Sequence, residues 1–229
     1  VVDDCRYLGR LFLHSHSGAP KGHPEIHVVH SRAGNTLAPE LFQLHTHSMA
    51  WHSDNSFDLQ PPGMTVLYAL EVPLEGGDTV FADTETAYER LSHGCRKSLE
   101  GLQAAHTSRD QAARARPGGG DVGREPVDSI HPIVRTNPRT GRKVLFVNPQ
   151  YTRQVVGYKE EESDNLLTFL PDHITKSHAL KCRVRWRDKT VVVFDNPNTC
   201  HSRMTDWMYG RRLHIARYGS ILSSTRLVC

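Results

Sequence analysis

No run of about 18 apolar residues occurs in the chain, so a membrane-spanning helix is not expected. The first residues, Val1-Val2-Asp3-Asp4, lack the basic-then-apolar pattern of a secretory signal, and no initiating Met precedes them. Cysteine is sparse. The five, Cys5, Cys95, Cys182, Cys200 and Cys229, are odd in number, widely spaced and form no C-x-x-C pair. This speaks against a disulfide framework and for a reducing, cytoplasmic setting. Charge of one sign is lacking as well. The 28 basic and 25 acidic residues leave a net charge of +3, scattered along the chain, too little to argue for nucleic acid.

The 229 residues suit one domain, 1–229, for which a truncated N-terminus is left open by that start. Apolar residues make up 38% and charged residues 23%, enough for a sizeable core. Glu25 to Val29 reads as a short strand. Pro61-Pro62-Gly63 breaks the chain, and Met64 to Leu70 then reads as a buried strand. Gly76-Gly77 turns into a further strand from Thr79. Asp83 stands where its carboxylate can cap a helix running through Tyr88 and Leu91. Residues 107–128 shift to a polar, glycine-rich composition and read as a long mobile loop. His131 to Arg135 and Lys143 to Val147 read as a strand pair across the turn Pro138-Arg139-Thr140-Gly141. Glu160 to Leu170 reads as a helix stopped by Pro171. Val184 to Trp186 and Thr190 to Phe194 read as strands around the charged turn Arg187-Asp188-Lys189, and Arg212 to Arg217 as a last strand. Short strands with a few flanking helices suit a mainly β sandwich or jelly roll.

The chemistry centres on Trp51-His52-Ser53-Asp54. On an extended strand His52 and Asp54 share a face, because side chains alternate with period two. Both can then reach one metal ion, with His201 the candidate third ligand. Two histidines and a carboxylate form the facial triad of non-haem Fe(II) oxygenases, which leaves positions open for substrate and O2. The motif alone is weak. With 15 histidines and 25 acidic residues, about two His-x-acid matches arise by chance. The chain holds two, the other being His23-Pro24-Glu25. Trp51 reads as core packing. Phe57 is a candidate to pack on a cofactor or line a substrate pocket. Cys200 precedes His201 and faces the opposite way on a strand, so it reads as a packed thiol rather than a ligand.

Further matches follow in order: Gly76-Gly77-Asp78-Thr79, Ala87-Tyr88-Glu89, His131-Pro132-Ile133-Val134-Arg135-Thr136, Leu145-Phe146-Val147-Asn148, His173-Ile174-Thr175-Lys176, Phe194-Asp195-Asn196, His201 and Gly210-Arg211-Arg212. This ordered set, from Leu8 to Ser220, resembles the taurine dioxygenase (TauD/TfdA-like) family of Fe(II)- and 2-oxoglutarate-dependent dioxygenases. The resemblance implies a double-stranded β-helix, with residues 107–128 matching a lid near the active site. It implies His52, Asp54 and His201 as ligands of Fe(II), with 2-oxoglutarate as co-substrate and O2 as oxidant. It implies oxidation of a small organic, acidic substrate with release of succinate and CO2, with no part for nucleic acid or membrane and a homo-oligomer left open. Arg212 matches the arginine that forks onto the far carboxylate of 2-oxoglutarate, Thr79 its hydroxyl partner, and His14 a histidine that contacts the substrate's anionic group.

Strand parity bears on the substrate. Taurine dioxygenases carry a second arginine four residues after the first, for the sulfonate, and here that position is Ala216. Arg217 is the substitute candidate, yet on a regular strand Arg212 and Arg217 face opposite ways unless a bulge intervenes. Taurine is therefore disfavoured, and another small acid is expected at least equally. Arg211 stays a candidate one register off.

Two other readings compete: a non-catalytic jelly-roll metal-binding protein, and a zinc hydrolase using His45, His47 and His52. A succinate-release assay separates them. The dioxygenase reading expects 2-oxoglutarate turnover that is lost in His52→Ala and in Asp54→Ala. The hydrolase reading expects zinc-dependent activity that survives Asp54→Ala, and the binding protein expects no turnover with the fold intact.

Overall fold

A computed structural model describes residues 7, 9–13, 19–31, 51–115, 125–204, 206 and 213–221. In chain order its strands are β1 (Arg10–Leu11), β2 (His27–Ser31), β3 (Met64–Glu71), β4 (Thr79–Asp83), β5 (Gln103–Thr107), β6 (Asp128–Pro132), β7 (Val134–Thr136), β8 (Lys143–Leu145), β9 (Thr152–Val155), β10 (Lys181–Val184), β11 (Val191–Asp195), β12 (Thr199–Arg203) and β13 (Leu213–Ile221). The helices are α1 (Thr84–Arg90), α2 (His93–Ser98), α3 (Arg109–Ala115) and α4 (Glu160–Lys176).

Two sheets face each other as a jelly roll. In the larger, β13 pairs with β1, β2 and β3, and β3 pairs with β11; in the smaller, the order is β10-β4-β12. The space between them is filled by alternate residues of both: Leu67 and Ala69 from β3, Ile215 from β13, Phe194 from β11 and Phe81 from β4, with Trp186. Each fully buried side chain of this kind contributes on the order of 1.5–3 kcal/mol. The intervening residues of the smaller sheet, Ala82 and Cys200, point the other way. They join a second core with Ala87, Tyr88 and Leu91 at α1 and Leu170 and Ile174 of α4, against which Trp51 packs. Cys200 is thus the packed thiol expected, and burial pushes its pKa up. A third sheet, β6-β5-β9, and the hairpin β7-β8 stand beside the barrel.

Several local expectations meet their partners. Asp83 caps α1 by accepting from the Glu85 and Thr86 N–H groups. Four points differ. Residues 107–128 were expected as one loop, but Arg109–Ala115 form α3, begun by Ala112 N–H to Ser108 C=O at 2.9 Å. The expected strand His131 to Arg135 divides at buried Ile133, since β6 pairs with β5 whereas β7 pairs with β8. The strands around Arg187-Asp188-Lys189 do not pair with each other; β10 lies on β4 and β11 on β3. Trp186 sits in the connection and buries its indole in the barrel, which carries the chain from one sheet to the other.

Pro171 does not stop α4. Its ring costs a helix one hydrogen bond and a clash, about 3 kcal/mol, but Leu170, Pro171 and Ile174 are all buried on the continuing face. His173 further anchors that half by donating from Nε2 to the Ala87 carbonyl at 2.8 Å. No helix among the described residues is long and apolar enough to cross a membrane. Because Ile174 is fully buried past the proline, Ile174→Ala is expected to cost about 2–5 kcal/mol in urea unfolding. A cost below about 0.5 kcal/mol, typical of surface positions, would place this turn outside the core.

Candidate metal centre

The backbone brings the distant ligand candidates together. The His52 N–H donates to the His201 carbonyl at 2.9 Å, and the His201 N–H donates back at 2.8 Å. This isolated antiparallel bridge sets the two residues opposite each other. Two residues on, the Asn196 side chain takes over from a strand partner. Its Oδ1 accepts from the Asp54 N–H at 2.6 Å, and its Nδ2 donates to the Asp54 and Pro62 carbonyls at 3.0 and 2.9 Å. Asn196 opens the 3-10 turn Asn196–Asn198, directly before β12 and His201, so one turn serves both halves of the site.

The side chains converge accordingly. His52 Nε2 lies 3.4 Å and His201 Nε2 3.9 Å from Asp54 Oδ1, and one donor atom from each residue fits within 4.8 Å of the others. Metal bonds of about 2.0–2.2 Å bring neighbouring donors to roughly 3 Å, so a small inward movement completes a site. Asp54 is 1% exposed, and its Oδ2 has no hydrogen-bond partner. A buried carboxylate oxygen without a donor is costly, and a cation between the two imidazoles would satisfy it. The residues therefore fit a facially bound divalent ion.

Electrostatics favour the ligand forms. Burial alone would raise the Asp54 carboxyl, but Arg217, the His52 hydrogen bond and the two imidazoles outweigh it and hold it well below the carboxylate range. The His201 pKa is lowered to about 3, first by burial and then by His52. It is therefore a neutral imidazole, the form that binds metal. Phe81 stacks on His201 at 5.5 Å and Phe194 meets it edge-on at 5.1 Å, which shields that side from water.

Arg217 reaches this centre from β13, on the same face as the buried Ile215. The register of β13 against β3 shifts between His214 and Ile215, but the extra residue, Leu70, lies in β3, and β13 runs against β2 without a shift. Arg217 Nη1 lies 2.5 Å from Asp54 Oδ1, and Nη2 donates to Asn55 Oδ1 at 3.2 Å. Arg217 thus faces the site, while Arg212, against which its parity was set, lies outside the described residues. Thr79 is buried at the start of β4, where its Oγ1 accepts from Trp186 Nε1 at 3.0 Å. Phe57 is fully buried and meets the Tyr151 ring at 4.9 Å. His14, His45, His47, Arg211 and Arg212 lie outside the described residues.

Sequence reasoning missed three neighbours. Tyr151 stands edge-on to His52 at 5.8 Å. His27 is the cross-strand partner of Arg217. Thr65, whose Oγ1 is buried without a partner, lines a narrow cavity with His27, Asp54 and Arg217. Only the alternation of β3 and the acidic-apolar run at Glu25-Ile26-His27 pointed toward them, and neither marks a site.

The family described as taurine catabolism dioxygenase TauD, TfdA family, matches residues 1–218. The chain is 40% identical over 207 residues to an alpha-ketoglutarate-dependent sulfonate dioxygenase of Saccharomyces cerevisiae, covering 90% of this chain and 50% of that protein. It is 41% identical over 215 residues to the alpha-ketoglutarate-dependent dioxygenase cnsM of Penicillium expansum, covering 92% and 60%. The chain thus spans about half the length of the relatives it matches. A crystal structure of a taurine dioxygenase from Burkholderia xenovorans superposes with a TM-score of 0.77 at 28% identity, covering 96% of this chain and 71% of that one.

Two buried histidines behind the site make stability depend on pH. The His131 pKa is lowered from 6.5 to about 4 by burial and then Arg135; His106 is also held well below the usual imidazole value, by burial, then His131 and Arg135. Between those values the unfolded chain binds protons that the native fold refuses, so stability is full above pH 6.5 and falls toward pH 4. The urea midpoint of the metal-free protein is expected to follow that course. A flat midpoint across this window would contradict the burial of the pair.

Proposed function

Because the chain belongs to the TauD/TfdA family, we propose that it is an Fe(II)- and 2-oxoglutarate-dependent dioxygenase acting on a small acidic organic substrate, with release of succinate and CO2. The observation that carries this reading is the convergence of His52 and His201 on the buried Asp54 carboxylate, whose Oδ2 has no hydrogen-bond partner. When bound there, a ferrous ion would supply the activation of O2 coupled to decarboxylation of 2-oxoglutarate.

The chain's own residues bind, orient and exclude water. Thr79 accepts from Trp186 and keeps its own O–H to donate to a carboxylate of 2-oxoglutarate. Arg212 would fork onto the same carboxylate with two charge-assisted bonds. Arg217 sits beside the metal candidates and offers its guanidinium to the acid group of the primary substrate, with His14 as a second contact. Phe57 and Tyr151 supply an apolar wall next to His52. No side chain is required as a general base.

A sulfonate or a sulfate ester is a leading substrate class. The yeast relative is described as acting on sulfonates, and a Pseudomonas putida relative, 29% identical, as acting on sulfate esters.

Succinate release measured over sulfonates, sulfate esters and carboxylates is expected to single out one acidic class. Loss of a charge-assisted bond costs about 1.5–3 kcal/mol, roughly 10- to 100-fold. Arg217→Ala is therefore expected to raise KM for the primary substrate by that factor, and Arg212→Ala to raise KM for 2-oxoglutarate. The opposite pattern would exchange the two assignments, and unchanged KM values would remove both.

A further inference from the structure

The stretch Ser53 to Asp58 is buried at every position, although five of its six residues are polar. Its polar groups cannot turn to water and have to be satisfied by neighbours. The front half is held by the barrel: Ser53 Oγ donates to the Thr199 carbonyl at 2.8 Å, Asn196 brackets Asp54, and Arg217 holds Asn55. The turn's own bonds are few. Ser56 N–H reaches the Ser53 carbonyl at 3.3 Å and Asp58 N–H the Asn55 carbonyl at 2.9 Å, across an Asn55 in the left-handed region at φ 49°.

The rear half is held from outside the barrel by two histidines. His106 Nδ1 lies 3.0 Å from Ser56 Oγ, which also accepts from Asn148 Nδ2 at 3.0 Å. His131 Nε2 lies 2.9 Å from the Asp58 carbonyl. A carbonyl only accepts, so His131 carries its proton on Nε2. Both imidazoles are fully buried on the paired strands β5 and β6. They meet edge to face at 5.3 Å, and Phe146 stacks on His106 at 5.4 Å. Arg135 lies over Phe146 at 4.4 Å, which closes the block.

The geometry points to His106 and His131 as positioning residues: together with Ser56 they hold the turn that aims the Asp54 carboxylate at the metal. The role rests on the reading of Asp54 as a metal ligand. It also gives the side sheet β6-β5-β9 a part in the site, since the sheet carries the two imidazoles and leads into the turn of Asn148. Outer groups that orient ligands set metal affinity by about 10- to 100-fold.

Co(II) binding to the metal-free protein, read by its visible absorption, tests this alongside urea unfolding. Ser56→Ala and His131→Phe are expected to weaken Co(II) binding by about 10- to 100-fold. His131→Gln, whose amide places an N–H donor near the Nε2 position, is expected to recover affinity to within about threefold of the parent. Wild-type affinity in Ser56→Ala and His131→Phe overturns the role, as does a His131→Gln protein as weak as His131→Phe. Should His131→Phe not fold, Ser56→Ala decides alone. Asp54→Ala is the control: if it binds Co(II) as tightly as the parent, the metal reading itself is wrong and this inference falls with it.

Discussion

A carboxylate that is charged and 1% exposed constrains everything around it. Asp54 is buried away from water, so its charge has to be met by fixed groups: Arg217 and two imidazoles lie within 4 Å of Oδ1, and Oδ2 is left for the proposed metal. The guanidinium and the two imidazoles come from different parts of the chain. The barrel is the scaffold that brings them to one point. The reciprocal bridge between His52 and His201 is the smallest piece of sheet that does so, and Asn196 extends it by one more residue with a side chain in place of a backbone.

The same constraint places a cation on the inward face of β13. Ile215 and Arg217 share one face of a strand whose pairing with β2 runs without a shift, so ordinary alternation turns Arg217 against Asp54 and Asn55. The guanidinium that neutralises Asp54 is also the one proposed for an acidic substrate, so under that reading binding the substrate and holding the carboxylate draw on one group.

Much of this was legible beforehand because it depends on short-range rules. The spacing of His52 and Asp54, the Asp83 cap, the strand from Met64, though not the burial of its exposed Leu70, and the opposed faces of Cys200 and His201 follow from period-two alternation and first-turn hydrogen bonding. The misreadings share another cause. Pro171 is a breaker by local propensity, but the burial of Leu170 and Ile174 against α1 outweighs it. Residues on either side of Ile133 look continuous, yet they bond to different strands. His106 drew no reading and His131 was read only as part of a matching strand motif, since nothing local marks a histidine whose partner lies 50 or 73 residues away.

What the sequence determined alone is the set of ligand candidates and the kind of fold, because residue identity and side-chain periodicity are local properties of a chain. Which arginine meets Asp54, which side chains hold its turn, and where the proline-containing helix ends were decided only in the tertiary structure. Those outcomes turn on strand register and on burial of uncompensated polar groups, and both exist only once distant segments have packed together.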